Sequence, residues 1–403
     1  MLYTVFWLAL TFGLHIMLVN LGIFLALYVP YLKWKADKEG DEGLEKVAYK
    51  LMRFYAATYG VAGVFATAFT VFLLSYYPNF LGLAGNIAMI PFGIAITMIV
   101  LHFFSIATFY YGWYRWSRPV HYTLGFLLAL SAILIPLGFR SVFAFLNIPV
   151  GLHFANGKPY LNVSEALGNP TLWPLYFKSL VAAITAGSLA IAGGLAYSYH
   201  KSEDQAYKAA INKVLRQLAP VSLTGLILMF FLGLWYAYTL ESIPYKFNNV
   251  FASLGWKVGD GVVHYNVAWV FVLKMILYVF QFAVIIAVYK YMRSGSMPFA
   301  KAKLLLYGGL AALATIMLGE WLNAFSQYPY FIACLGSPQS CQSILAEIPK
   351  DQLPYIAKIL NLENYNQLAV VSSVRMLTDG FMLFLLASVV YFFYAYFFKP
   401  EKA

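Results

Sequence analysis

Seven ionisable side chains sit inside long apolar runs of this chain: His15, His102, Lys178, Lys274, Glu320, Arg375 and Asp379. Hydrocarbon tolerates a charge or an imidazole at a cost of several kcal/mol, so each needs a reason to be there. Imidazole and carboxylate groups ligate haem iron, and basic side chains pair with haem propionates. The chemistry these residue types point to is electron transfer through haem held within a membrane. Each residue also has a bland reading. A lone histidine can bond a neighbouring helix carbonyl, and Glu320 can pair with Lys274 or Lys178. Arg375 and Asp379, four apart, can satisfy each other, and Met275 can simply pack.

The elements that must position these groups are apolar helices. The composition is 62% hydrophobic and 11% charged, with a mean hydropathy of +0.71. Runs at 3–31, 52–77, 86–114, 121–147, 171–199, 218–240, 265–291, 302–327 and 369–397 each reach the ~20 residues that cross a bilayer. The expected fold is an all-α polytopic membrane protein with nine transmembrane helices. The first run lacks a cleavage-site pattern and carries His15, so it reads as a retained span. The +11 net charge is topological rather than a nucleic-acid signal. In a nine-span arrangement eighteen Lys and Arg fall on one side, while the other side has only Arg140, Lys158, Lys246, Lys257, Lys350 and Lys358. The positive-inside rule then places the N-terminus outside and the C-terminus in the cytoplasm. On that topology His15 and His102 lie roughly 18 and 23 Å from the outer surface, a depth match that would let them flank one cofactor.

Residues 1–403 read as a single transmembrane haem-binding bundle with no soluble domain. The longest outer loop, 328–368, carries Cys334 and Cys341 and a short amphipathic helix near 343–362. An oxidising exterior would let the two thiols form a disulfide. Asn162-Val-Ser164 is a glycosylation sequon on the same side. The segment KWKADKEGDEGLEK alternates charge signs and reads as a solvated face.

The order of several motifs resembles the cytochrome bd quinol oxidase subunit I family over most of the chain. LTFGLHIMLVNLG is similar to that family's first helix, with its haem-ligating histidine on His15. FYYGWYRWSRPVH, IPVGLHF, NPTLWPLYFKSLVAAITAG, IPYKFNNVF and GEWLNAFSQYPY follow in the family's order. The resemblance implies one to three haems, of haem b type with a haem d-type group in one site, and quinol as substrate. It places iron ligands at His15 and Glu320, a methionine ligand near Met275, a propionate partner near Lys274 and a quinol contact at Lys246; Arg375, if not paired with Asp379, is a further propionate partner by its charge alone. It also implies a second homologous membrane subunit, or a homodimer in its place. An outer redox protein is a further candidate partner.

The departures from the pattern bear on function. The family's low-spin histidine falls on Lys178, and its third-helix carboxylates fall on Ile94 and His102. With His102 facing His15, the iron would be closed on both sides, giving a six-coordinate, electron-transferring haem. The expected function is therefore a membrane haem b electron-transfer subunit exchanging electrons with quinol or an outer redox partner. The alternatives are a working quinol:oxygen terminal oxidase and an ion-coupled transporter. Transport would favour broken helices and inverted repeats, and neither is evident.

Overall fold

In hydrocarbon only a helix satisfies its own N–H and C=O groups, so long apolar runs fold as helices there. The computed structural model describes residues 3–76, 89–155, 158–342, 346 and 372–397. Nine of the described helices are long and apolar enough to cross a membrane. They are α1 (Tyr3–Glu39), α2 (Glu42–Tyr76), α3 (Met89–Tyr111), α4 (Arg118–Asn147), α6 (Leu172–Lys201), α7 (Gln205–Leu240), α9 (Ala268–Ser294), α10 (Phe299–Phe325) and α11 (Ser372–Phe397). Shorter elements lie between them. Strands β1 (Leu152–Ala155) and β2 (Lys158–Leu161) form an antiparallel hairpin followed by helix α5 (Val163–Leu167), and helix α8 (Pro244–Phe251) lies between α7 and α9.

The α1–α2 turn is set by two residues. Gly40 takes φ +63°, the left-handed conformation that ends a helix. Asp41 then caps α2, its Oδ1 accepting from Leu44 N at 2.9 Å. Helix α6 runs through the middle of the bundle, packed against α1, α4, α7 and α10. Its approach to α10 needs small residues. A Cβ on Gly193 would stand 2.6 Å from the Leu306 backbone, and one on Gly309 2.6 Å from the Ala190 backbone. Such small-residue crossings let membrane helices gain contact where no hydrophobic drive separates them from lipid.

The two ends of the bundle differ. At the cap end, α8, the hairpin and 3₁₀ turns at Ala333–Gly336 and Pro338–Cys341 fold over the helix ends. Cys334 and Cys341 are joined there as a disulfide. The helix expected near 343–362 lies outside the described residues. The opposite, basic end carries the α1–α2 turn. Its charged segment is not simply solvated. Lys33 Nζ donates to Asp37 and Glu45, both at 2.8 Å, while Trp113 Nε1 and Tyr122 OH donate to Glu45 and Asp37 at 3.1 Å. Lys33 is buried in this network, which ties α1 and α2 to the α3–α4 connection.

Candidate functional site

His15 is held in a form suited to binding a metal. Its Nδ1 lies 2.9 Å from the Ala62 carbonyl oxygen on α2. A carbonyl only accepts, so Nδ1 carries the proton and Nε2 keeps its lone pair. Among the described residues nothing bonds Nε2. Donation of one ring N–H to a backbone carbonyl is the usual way an imidazole ligand is oriented. Two residues earlier, Gly13 lets α10 approach closely, since a Cβ there would meet Met317 Cγ and Trp321 Nε1 at 2.7 Å. Trp321 Nε1 also donates to the Ala9 carbonyl at 2.8 Å.

His102 is not placed opposite His15. Its Nε2 lies 2.5 Å from Tyr55 OH and its Nδ1 2.8 Å from Ser131 Oγ. The Ser131 hydroxyl donates to Leu128 O at 3.0 Å, so its oxygen accepts from His102 Nδ1–H. The His102 lone pair is then at Nε2 and is taken by the Tyr55 hydroxyl. Both ring nitrogens of His102, expected as an iron ligand, are thus engaged by side chains in this structure. Its partner Tyr55 stands seven residues from Ala62 on α2, about 10 Å along the axis and nearer the basic end.

Glu320 is paired with Arg140, not with a lysine. Arg140 Nη1 and Nη2 donate to its two carboxylate oxygens at 3.1 and 2.5 Å. This fork-to-fork geometry is the strong form of the pair. Arg140, counted above among loop residues, is buried inside α4. It lies within the 121–147 apolar run, so the signal for an eighth intramembrane ionisable group was present.

Lys178, Lys274 and Met275 come together as lining of one cavity of about 460 Å³ between α6, α7, α9 and α10, closed at the cap end by α8. Lys178 Nζ sits 4.0 Å over the Tyr236 ring. Tyr236 OH donates to Asn323 Oδ1 at 2.9 Å. Lys246, expected as a quinol contact, is fully enclosed at 1% exposure. Its ammonium donates to Asn147 Oδ1 and Asn323 Oδ1 at 2.7 Å and to Gln327 Oε1 at 3.0 Å. Those three bonds use all its hydrogens, which leaves none for a quinol oxygen. Burial lowers its pKa to about 7, opposed by the charge of Glu320.

Two remaining expectations are revised. Arg375 is exposed, its guanidinium 5.2 Å over the Tyr3 ring, and among the described residues it has no ion pair with Asp379. Asp379 instead accepts from Tyr3 OH and Trp7 Nε1, both at 3.0 Å. Asn162 serves as the N-cap of α5, accepting from Ser164 N at 3.1 Å, and its amide donates to Glu165 at 2.6 Å. The sequon nitrogen therefore has a local structural role.

Nine apolar helices among the described residues, packed around buried ionisable groups, define a polytopic membrane protein. Residues 6–267 match the family described as cytochrome bd terminal oxidase subunit I. The chain belongs to that family, whose members sit in the prokaryotic cell membrane. A curated relative from Bacillus subtilis (strain 168), named "Putative cytochrome bd menaquinol oxidase subunit I", is 24% identical over 188 residues. The aligned stretch covers 46% of this chain and only 42% of that relative. A solved structure, bd oxidase from Geobacillus thermodenitrificans, superposes with a TM-score of 0.74 at 15% identity, covering 98% of this chain and 96% of its own. At that identity the likeness is one of fold.

Proposed function

We propose that this chain is a haem-bearing subunit of a bd-type quinol oxidase complex, with His15 Nε2 as the protein's axial ligand to one haem b. The observation that carries the reading is the orientation of His15, whose Nδ1–H is fixed on the Ala62 carbonyl and whose Nε2 is unclaimed. When bound there, haem would supply one-electron redox chemistry and an iron position for a small diatomic ligand. The chain's own residues orient the imidazole through α2, bring α10 close through Gly13, and keep water out through the apolar α1–α2–α11 packing of Leu14, Leu18, Phe65 and Met382.

The engagement of His102 by Tyr55 favours five-coordinate iron over the six-coordinate form, because no second imidazole is free at that site. This supports the oxidase reading over a purely electron-transferring one. Glu320 serves here as the counter-ion of Arg140. The Lys178–Met275 wall offers no imidazole, and an ammonium must lose its proton before it can ligate iron. Those residues do not fit the family's histidine-ligated low-spin haem. In this proposal the cap end faces outward and a second membrane subunit packs alongside.

The test is optical. The purified protein, reduced with dithionite, should show a haem b α-band that shifts on adding carbon monoxide, and His15→Ala should lose that haem. Unchanged haem content in the variant would remove the ligand assignment. A band insensitive to carbon monoxide would restore six-coordinate electron transfer.

A further inference from the structure

The cavity between α6, α7, α9 and α10 contains more positive charge than the protein answers. Lys178 and Lys274 each lie six residues from the cap-end start of their helix, about 9 Å in. Lys178 faces only the Tyr236 ring, an aromatic surface that attracts a cation but does not neutralise it. Lys274 Nζ lies 3.9 Å from where a Gly319 Cβ would be. Neither has an ion-pair partner among the described residues. The nearest buried carboxylate, Glu320, gives both oxygens to Arg140. Among the described residues the only carboxylate on the lining is Glu241, which is exposed at the rim. Lys246 adds a third amine, held by amides alone.

Two ammonium groups sharing a largely apolar chamber repel each other and lack the counter-ion that low dielectric demands. The rest of the chamber is mostly apolar and extends toward the bundle centre past Leu226, Ile316 and Ala186, where Gln281 Nε2 donates to Thr315 Oγ1 and Thr185 Oγ1 to the Val181 carbonyl. Phe230 and Leu234 on its α7 wall are exposed, so it opens sideways toward lipid rather than only toward water. Polar groups near the cap end and an apolar shaft reaching inward match one kind of ligand.

We propose that this chamber binds a single-tailed anionic amphiphile, its carboxylate or phosphate held between Lys178 and Lys274 and its acyl chain lying along α7 and α10. The site is separate from His15 and stands whether or not His15 binds haem.

The proposal is tested on the purified, unsubstituted protein with three photoactivatable probes carrying the same diazirine-bearing sixteen-carbon chain: palmitate, the monoalkyl phosphate and hexadecanol. Either acid should label α7 or α10 peptides about tenfold more than the alcohol, the factor one modest charge interaction supplies. The ratio between the two acids separates carboxylate from phosphate. In Lys178→Met/Lys274→Met the acids should fall to the level of the alcohol, with haem content by pyridine haemochrome unchanged. Equal labelling by acid and alcohol overturns the proposal, as does loss of a haem in the double variant, which would assign the two lysines to propionates. Because the acid-to-alcohol ratio is read on the parent protein, a variant that fails to fold leaves the test intact.

Discussion

Removing either member of the Arg140–Glu320 pair should destabilise the bundle strongly, and removing Glu320 should do more harm. Both side chains are largely buried, at 7% and 12% exposure, and they meet through two hydrogen bonds of 3.1 and 2.5 Å. Breaking a buried pair leaves one charge uncompensated, at a cost of roughly 3–5 kcal/mol. The asymmetry follows from the neighbours. In Arg140→Met the carboxylate still has Lys178 and Lys274 within electrostatic reach, so part of the loss is recovered. In Glu320→Gln, Arg140, Lys178, Lys246 and Lys274 are left with no buried carboxylate among them. Glu320→Gln should therefore cost the full ~4–5 kcal/mol, and Arg140→Met about 1–2 kcal/mol less. The assay is unfolding in mixed micelles titrated with SDS and followed by tryptophan fluorescence, with the double variant closing the cycle. The argument fails if either single variant stays within about 1 kcal/mol of the parent, or if Arg140→Met proves the more damaging.

Lys246 gives a pH signature. Its pKa of about 7 when folded lies below the 10.5 of the free side chain, so between those values the unfolded chain binds the extra proton. Stability should rise with pH across that window by up to about 1.4 kcal/mol per unit. Lys246→Met should lose this portion of the slope in SDS titrations run from pH 7 to 10. Tyr55→Phe should cost about 1–3 kcal/mol by leaving the buried His102 lone pair unanswered, yet leave the haem spectrum unchanged, and loss of haem there would return His102 to the iron. Arg375→Ala should change haem content little, as measured by pyridine haemochrome. For topology, a thiol reagent that does not cross membranes should label Lys208→Cys only after the cells are opened, and labelling in intact cells would invert the proposed orientation.

Helix number and length were legible because apolar runs of twenty or more residues have only one way to satisfy their backbone in lipid. The polar site was legible in part. His15, Lys178, Lys274 and Met275 were visible as ionisable or soft groups in otherwise apolar helices. Their partners were not, since partners depend on helix rotation and neighbour identity, which one-dimensional depth does not contain. His15 and His102 match in depth when counted from the ends of their own runs, yet α2 receives them at Ala62 and Tyr55, two turns apart. Arg140 was hidden by its position near the end of an apolar run, where a basic residue resembles a loop boundary. Lys246 was hidden because its three partners are neutral amides brought from α4 (Asn147), α10 (Asn323) and the turn after α10 (Gln327).

These misreadings share a cause with the chemistry. Each cation in this half of the bundle is held by something other than a dedicated carboxylate, Arg140 excepted: an aromatic face for Lys178, an amide cage for Lys246, and open cavity for Lys274. A protein that needed these lysines only for rigidity would lose little by replacing them with leucine, since apolar packing is as stable as a buried ion pair and carries no desolvation cost. Keeping two unanswered ammonium groups at one depth on facing helices is costly unless an anion is regularly present. The charge imbalance and the apolar shaft beneath it therefore point to a bound anionic amphiphile, while His15, on the other side of α10, remains the place for iron.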